Sequence, residues 1–389
     1  MPRLRGELQA DVVVVGGGLT GCTIACVFAG AGARTILVEA ETLGSGVTAR
    51  SSGLLRPDPA ASFRDTQERY GLRTARTLWQ ATRRAALDSA AAFRRLGIRC
   101  DPAAAEALTV ARGSRESDRA FGREFDAQKG AGLDVSWLNA RALAREAAVD
   151  HGVAAIKTRD GVQIDPYRAA LGMAAAARDR GADLFERSPA LRIRASRKFV
   201  DIRTAGGTVR ASSVVIATGY PPADLRGLRR HFTAEHAYAV VTQPMPAAMR
   251  KAAGRRAASI EDTDVPAHTL RWLRDDSILF AGGAQREVPS RSRSKALKQR
   301  MWQLMYELSL LYPVVSGIQP THAWDIPIAR TVDGLPYLGL HRNYPRHLFA
   351  LGIDPHRLGY SWLAARILLR QFQGTPEKED EAFGFARIL

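Results

Sequence analysis

The sequence predicts an α/β fold organised around a dinucleotide-binding unit, and three observations carry that prediction. A continuous apolar strand, Asp11-Val-Val-Val-Val15, runs into Gly16-Gly-Gly-Leu-Thr-Gly21. A second strand, Arg34 to Glu39, ends on an acid. A later apolar strand, Ser213 to Gly219, again ends on glycine.

The first strand is apolar at every position, which is the pattern of a parallel strand buried on both faces. Gly16 permits the tight turn, Gly18 allows close backbone approach to a pyrophosphate, and Gly21 lets helix and strand pack closely. The helix expected over Cys22 to Ala31 would offer its N-terminal N–H groups to phosphate oxygens. Glu39 follows Gly21 by 18 residues. There its carboxylate can accept from both ribose hydroxyls of an adenosine and repel a 2′-phosphate. Strand, glycines, helix, strand and acid in one unit specify dinucleotide binding far better than the glycines alone.

The next stretch, Gly44-Ser-Gly-Val-Thr48-Ala49-Arg50-Ser51-Ser52-Gly53, is small and hydroxyl-rich. It suits a second set of donors for the distal phosphate, and a helical run is expected from about Ser62. An alternating hairpin (Ala190 to Ile193, Phe199 to Arg203, Thr208 to Ala211) precedes the strand Ser213 to Gly219, which is expected to return to the sheet beside the cofactor. Strand-like segments at Ala237 to Gln243, His268 to Arg274 and Ser277 to Gly282 are followed by an amphipathic helix. That helix carries Leu297, Met301, Leu304, Met305, Leu308 and Leu311 on one face, a core-facing stripe.

With these motifs, and with Asp160-Gly-Val-Gln-Ile-Asp165-Pro166, Gly181 to Glu186, and Trp324…Thr331-Val-Asp333-Gly334-Leu-Pro336-Tyr-Leu-Gly339, the sequence resembles the D-amino-acid-oxidase-like superfamily of FAD-dependent oxidoreductases, which includes the glycine oxidase, sarcosine oxidase and gamma-glutamylputrescine oxidase-like groups. The resemblance covers most of the chain. It implies a Rossmann-like (GR2-type) FAD-binding domain with an inserted α+β substrate domain on a mixed sheet. The expected boundaries are 1–94, 151–224 and 323–389 for the first and 95–150 and 225–322 for the second. Non-covalent FAD is expected against Gly16, Gly17, Gly18, Leu19, Thr20, Gly21, Glu39 and Ala40, then Thr48, Ala49, Arg50, Ser51, Ser52 and Gly53. Farther along the chain the expected contacts are Ala190, Ala217, Thr218, Gly219, Gly352, Arg357, Leu358 and Gly359.

The sequence departs from that family at two places. Relatives carry a glycine-rich turn after the last strand, whose amides face the pyrimidine end of the flavin. Here the turn reads Gly352-Ile-Asp354-Pro355-His356-Arg357-Leu-Gly359 before the helix Tyr360 to Phe372. Pro355 removes a donor and Asp354 adds a negative charge, while His356 and Arg357 restore positive charge. Either His356 or Arg357 takes over the work of the amides, or the flavin is bound differently or not at all. The second departure is Ile328, which stands where amino-acid oxidases of the superfamily place an arginine for the substrate carboxylate. Arg330, two residues on, would keep the same strand face.

The implied activity is oxidation of a C–N bond in a small amine or amino acid, by hydride transfer to flavin N5 and hydrolysis of the imine. His356, Arg330, His322 and Tyr360 are the candidates for substrate pairing or flavin tuning, each beside a plain structural role. O2 or a quinone-type acceptor would take the electrons. The alternative is a non-catalytic flavin-binding subunit docking a partner through the basic stretch 286–300.

Charge adds less than its size suggests. The 389 residues include 56 basic and 39 acidic side chains, a net of +17, and only seven of the basic residues are lysine. The arginines are spread through the chain and concentrate only between 286 and 300, where no aromatic residue is interleaved for base stacking. Nucleic acid is therefore not expected, and membrane-surface association stays open. The first apolar run is too short for a signal-peptide core, so a cytoplasmic protein is expected. Cys22, Cys26 and Cys100 contain no CxxC, and neither disulfides nor a metal site is expected; Cys22 and Cys26 share one helical face as core fillers.

Overall fold

The computed structural model describes residues 1–113, 115–253 and 258–388; residues 114, 254–257 and 389, which fall inside the expected domain ranges, lie outside the described residues. In chain order the first half carries β1 (Gly6–Val15), α1 (Leu19–Gly30), β2 (Thr35–Val38), α2 (Val47–Arg50), β3 (Leu54–Leu55), α3 (Phe63–Arg95), β4 (Ala103–Ala104) and β5 (Glu106–Arg112). Then come α4 (Arg115–Gly130), β6 (Val135–Asn139), α5 (Ala140–Ala147), β7 (Gly152–Thr158), β8 (Val162–Gln163), α6 (Pro166–Asp179) and β9 (Asp183–Phe185). The second half adds β10 (Arg192–Ala195), β11 (Val200–Arg203), β12 (Gly207–Gly219), β13 (Phe232–Thr242), α7 (Ala247–Ala252), β14 (Ala258–Asp262), β15 (Thr269–Trp272) and β16 (Ile278–Arg286). It ends with α8 (Arg293–Leu311), β17 (Pro320–Thr331), β18 (Tyr337–His341), β19 (Tyr344–Leu351) and α9 (Tyr360–Gln373).

The first sheet runs β10-β11-β12-β1-β2-β9, with β19 beside β12 and β18 beside β19. β1 lies parallel to β2 and to β12, as a buried nucleotide-binding strand should. The segments 208–211 and 213–219, expected as two strands, are one strand of 13 residues. Its first half pairs antiparallel with β11 and its second half parallel with β19, because no turn residue interrupts the run between them. The face carrying Val12, Val14 and Leu37 packs against α1, α6 and α9, and Cys22 and Cys26 fill that layer.

The second sheet runs β17-β13-β16-β15-β14-β5-β7-β6. Two segments from the ranges expected for the FAD-binding domain pair within this sheet. β7, expected in the FAD-binding range from 151, pairs with β5 and β6 in this sheet. The whole of β17, including residues 323–331, pairs with β13. On one face α8 buries Leu304, Met305, Leu308 and Leu311 against Tyr238, Val240, Trp272 and Phe280. On the other, Ala237, Ala239, Leu279, Ala281 and Ile326 meet Val47 of α2, which brings the second sheet onto the turn that follows β2. β3, β8 and β4 form a small three-stranded sheet between them.

Candidate functional site

The cradle is built where β1 ends. Gly16 takes φ +109°, and a Cβ there would stand 2.6 Å from the Ala217 carbonyl oxygen of β12. A Cβ on Gly21 would reach 1.8 Å from the Gly16 carbonyl oxygen, so helix and strand approach as closely as the pattern requires. α1 starts at Leu19 with no acid in its first turn, so no charge of its own offsets its positive end. The Gly17 amide donates to Glu39 Oε2 at 2.5 Å and the Glu41 amide to Glu39 Oε1 at 2.8 Å, so the acid is held over the cradle. Thr48 Oγ1 accepts from the Leu19 amide at 2.9 Å, and Thr20 Oγ1 lies 2.9 Å from Ser361 Oγ of α9. Ala40 is exposed beside Glu39, Ala190 is half-buried, and Thr218 turns its hydroxyl to the Tyr220 carbonyl at 2.8 Å. Gly219 accepts from the Gly352 amide at 3.0 Å, joining the ends of β12 and β19.

The turn before α9 differs from what the resemblance implies. The His356 amide donates to Asp354 Oδ1 at 2.7 Å, the Arg357 amide to the Asp354 carbonyl at 3.0 Å, and the Leu358 amide to the Leu54 carbonyl at 3.0 Å. Three amides of the turn are thus engaged within the protein. His356 Nδ1 sits 2.8 Å from Ser52 Oγ, tying the turn to the Thr48–Gly53 segment. Burial lowers the His356 pKa and outweighs the carboxylates of Asp354 and Glu261. The ring is therefore neutral at pH 7, which corrects the expectation that it restores positive charge.

Arg357 is 3% exposed and forms one end of a buried ion network. Its Nη2 donates to Glu261 Oε1 at 2.8 Å and its Nε to the Asp58 carbonyl at 2.9 Å, with Asp354 Oδ2 at 3.6 Å from Nη1. Burial alone would lower its pKa, but Glu261, Asp354 and Asp58 hold it above the usual range. Arg56, 1% exposed, holds Asp58 through two bonds of 2.9 and 2.8 Å and donates to Thr109 Oγ1 at 3.0 Å. Two guanidiniums therefore face the three carboxylates of Asp58, Glu261 and Asp354. The positive charge expected from Arg357 is neutralised by its own neighbours.

The other candidates are dispersed. Tyr360 is fully buried, and its hydroxyl lies 3.1 Å from Thr82 Oγ1 on α3, which makes it a packing residue. Burial raises its pKa. Arg330 pairs with Glu235 at 2.5 Å and is 43% exposed. His322 is exposed on β17, with Nδ1 3.1 Å from Thr321 Oγ1. These three candidates for substrate pairing or flavin tuning lie apart, and none of them lines the cavity beside Ala49 and Ser51.

That cavity measures about 460 Å³. Ala49 and Ser51 form one side, Gln163, Ile164, Asp165 and Tyr167 another, and Val241, Arg271, Leu273, Leu279 and Trp324 the side given by the second sheet. Arg271 lines this cavity and is a residue that sequence reasoning did not single out. Its Nη1 donates to the Ile164 carbonyl at 2.9 Å and the Gly53 carbonyl at 3.2 Å. Trp324 Nε1 donates to the Arg50 carbonyl at 2.8 Å, and Arg50 pairs with Asp325 at 3.2 Å, so β17 grips the same segment.

The basic stretch 286–300 spans the end of β16 and the start of α8. Arg293 pairs with Glu287, and Arg286, Arg291, Lys295 and Lys298 are exposed. Among the described residues one group has metal-ligand proximity, Asp262, Asp264 and His268. Both ring nitrogens of His268 are already held, Nδ1 by Asp262 at 2.8 Å and Nε2 by Glu307 at 3.1 Å. The three cysteines are buried and free. No helix among the described residues is long and apolar enough to cross a membrane.

FAD fits this structure at its adenosine and pyrophosphate end, where a helix start free of acids, glycines that admit no Cβ and an acid at the end of β2 coincide. At the flavin end the fit rests on Ser52, Gly53 and the turn at His356–Gly359. There charge comes from a neutralised ion network rather than from free amides.

Comparison with known proteins agrees with the geometry. The chain is 26% identical over 382 residues to glycine oxidase of Bacillus licheniformis, covering 96% of each protein. It is 24% identical over 379 residues to gamma-glutamylputrescine oxidoreductase of Escherichia coli strain K12, covering 97% of this chain and 87% of the relative. The crystal structure of glycine oxidase from Geobacillus kaustophilus superposes with a TM-score of 0.79 at 19% identity, over 95% of this chain and 96% of that one. Residues 11–371 match the DAO family, described as FAD dependent oxidoreductase. The chain belongs to the DAO family of FAD-dependent oxidoreductases, enzymes that act on amines or amino acids.

Proposed function

We propose that the protein oxidises the C–N bond of a small amine or amino acid bound in the cavity beside Ala49 and Ser51. The observation that carries this reading is that the cavity shares its wall with the Thr48–Gly53 segment, which also supplies Thr48 to the start of α1. A molecule in the cavity therefore lies against the cofactor segment.

When bound, FAD supplies the two-electron acceptor for a hydride released from the carbon next to nitrogen. The residues proposed to hold it are Gly16, Gly18, Gly21, Glu39 and Thr48 at one end and Ser52, Gly53, Arg357 and Leu358 at the other. Val241, Leu279 and Trp324 exclude water and fix the substrate's apolar part, which is the positional share of catalysis. Asp101 and Asp165 lie on the cavity wall, but Arg168 engages both, at 3.0 and 3.6 Å, and Arg274 holds Asp101 at 3.2 Å. A substrate that enters as the neutral amine needs no base from them. The oxidised product is an imine, and water converts it to a carbonyl compound and free amine. O2 or a quinone-type acceptor completes the cycle.

The test is anaerobic mixing of holoprotein with a panel of amines and amino acids, followed by assay of the carbonyl product. One carbonyl per cofactor reduced supports the reading, and an unreacted panel overturns it.

A further inference from the structure

α8 buries one side and leaves the other bare. Leu304, Met305, Leu308 and Leu311 face the second sheet. On the opposite side Trp302, Tyr306 and Leu310 recur every fourth residue and are 49%, 64% and 42% exposed. Single exposed apolar side chains are ordinary, but an aromatic stripe along one helix marks a contact surface. One turn ahead of the stripe stand Lys298 and Lys295, with Arg291 just before the helix. All three are exposed, and none pairs with a carboxylate among the described residues.

The charge of this surface has one sign. The 19 residues of α8 include four basic side chains and one acid, Glu307, whose carboxylate is turned back onto His268 at 3.1 Å. Beyond the far end of the helix, α7 packs beside the 313–315 turn and adds exposed Lys251. The sequence from 247 to 260 carries four basic residues and no acid. A second copy of the same surface would bring cations and no carboxylate to meet them, which disfavours self-association through α8. Single-stranded nucleic acid needs rings set among cations in a groove, whereas here the rings follow the cations along a convex helix of about 28 Å. Trp and Tyr, with an apolar neighbour and adjoining cations, suit the boundary between lipid headgroups and acyl chains.

We propose that the outer face of α8 docks the protein on an anionic lipid bilayer, with Trp302, Tyr306 and Leu310 entering the headgroup region and Arg291, Lys295 and Lys298 pairing with lipid phosphates. The contact is interfacial. The inner side of α8 is committed to the core, so the helix stays in place while its outer side chains meet the lipid. The inference stands apart from the substrate reading, since no residue of this face lines the cavity beside Ala49 and Ser51.

The experiment sediments purified holoprotein with vesicles of phosphatidylcholine alone and of phosphatidylcholine mixed equally with phosphatidylglycerol. Partitioning onto the mixed vesicles should be roughly tenfold stronger or more, and added salt should weaken it. Lys295→Glu combined with Lys298→Glu should cut partitioning by about tenfold or more, because each cation near an anionic surface contributes about fivefold. Trp302→Ser combined with Tyr306→Ser should lose about fivefold or more with the charge unchanged. Arg192→Glu combined with Arg194→Glu, on the edge strand β10 of the first sheet, makes the same change in net charge and should leave partitioning within about twofold. A melting curve is recorded for each pair, and where a pair fails to fold, Tyr306→Ser and Lys298→Glu alone carry the comparison. No preference for the anionic vesicles, an equal loss in the β10 pair, or unchanged binding in the Trp302 and Tyr306 pair would overturn the assignment. So would a wild-type dimer that the aromatic pair dissociates, or binding of oligothymidine that the same pair weakens.

Discussion

Arg357 of the turn before α9 donates to Glu261 of β14 at 2.8 Å, a buried ion pair that joins the cofactor-side turn to the second sheet. Around it, Arg56, Asp58 and Asp354 complete a network in which each charge is a condition for burying the next. Such pairs contribute little net stability when intact, but removing one partner strands the other.

Substituting Arg357→Met should therefore destabilise the protein by about 3–5 kcal/mol, because Glu261 would lose its direct partner in a dry environment. Urea unfolding of wild type and variant measures the difference. A loss below about 1 kcal/mol would mean that water reaches the network.

The cradle makes a steric prediction. Gly21→Val places atoms where the Gly16 carbonyl already lies, since even a Cβ would come within 1.8 Å. FAD retained per chain after purification should fall at least tenfold, equivalent to about 1.4 kcal/mol of binding. The visible absorbance of the purified variant reports it directly.

His268 gives a pH dependence with a definite sign. Burial would lower its pKa, but hydrogen bonds to Asp262 and Glu307 outweigh that and raise it from 6.5 to about 9. The folded state thus binds this proton more tightly than the unfolded chain. The contribution is fully present below about pH 6.5 and is lost as pH rises through 9, a change on the order of 3 kcal/mol at most. Urea midpoints at pH 7 and pH 10 should differ in the wild type and converge in His268→Gln.

The turn at Asp354 bears on the flavin's potential. The Asp354 carboxylate is buried, which works against its charge, yet Arg357 and the hydrogen bond from the His356 amide hold its pKa below the usual range, so it is ionised at pH 7. Asp354→Asn removes a negative charge near the proposed flavin end and should raise the two-electron potential, by an amount on the order of 30 mV for about 1.4 kcal/mol. His356→Ala should move it much less, because the neutral ring carries no charge to lose. A redox-dye titration measures both, and a large fall in His356→Ala would show that the ring is protonated.

What the sequence revealed and what it hid divide along physical lines. The β1–α1–β2 unit was legible because its glycines, apolar run and terminal acid are local requirements of one turn. The stripe from Leu297 to Leu311 was legible for the same reason, as a helix face buried in part on the second sheet. Arg271 and Arg56 were not legible, since an arginine-rich chain does not distinguish the guanidiniums that become buried, and Glu261 gains its meaning only from the arginines that fold against it. Their importance comes from partners far away in sequence. Arg330 was read on the correct strand, but its engagement depends on the register that sets β13 beside β17 and brings Glu235 near it. The neutral state of His356 follows from burial by elements that the turn sequence does not contain.

The most direct test of the central claim is the visible spectrum of the purified protein recorded anaerobically before and after addition of each of a panel of amines and amino acids. The account predicts a yellow protein whose oxidised-flavin band is bleached by at least one of them. A colourless protein that stays colourless after FAD is added, or a yellow one that no amine or amino acid bleaches, would contradict it.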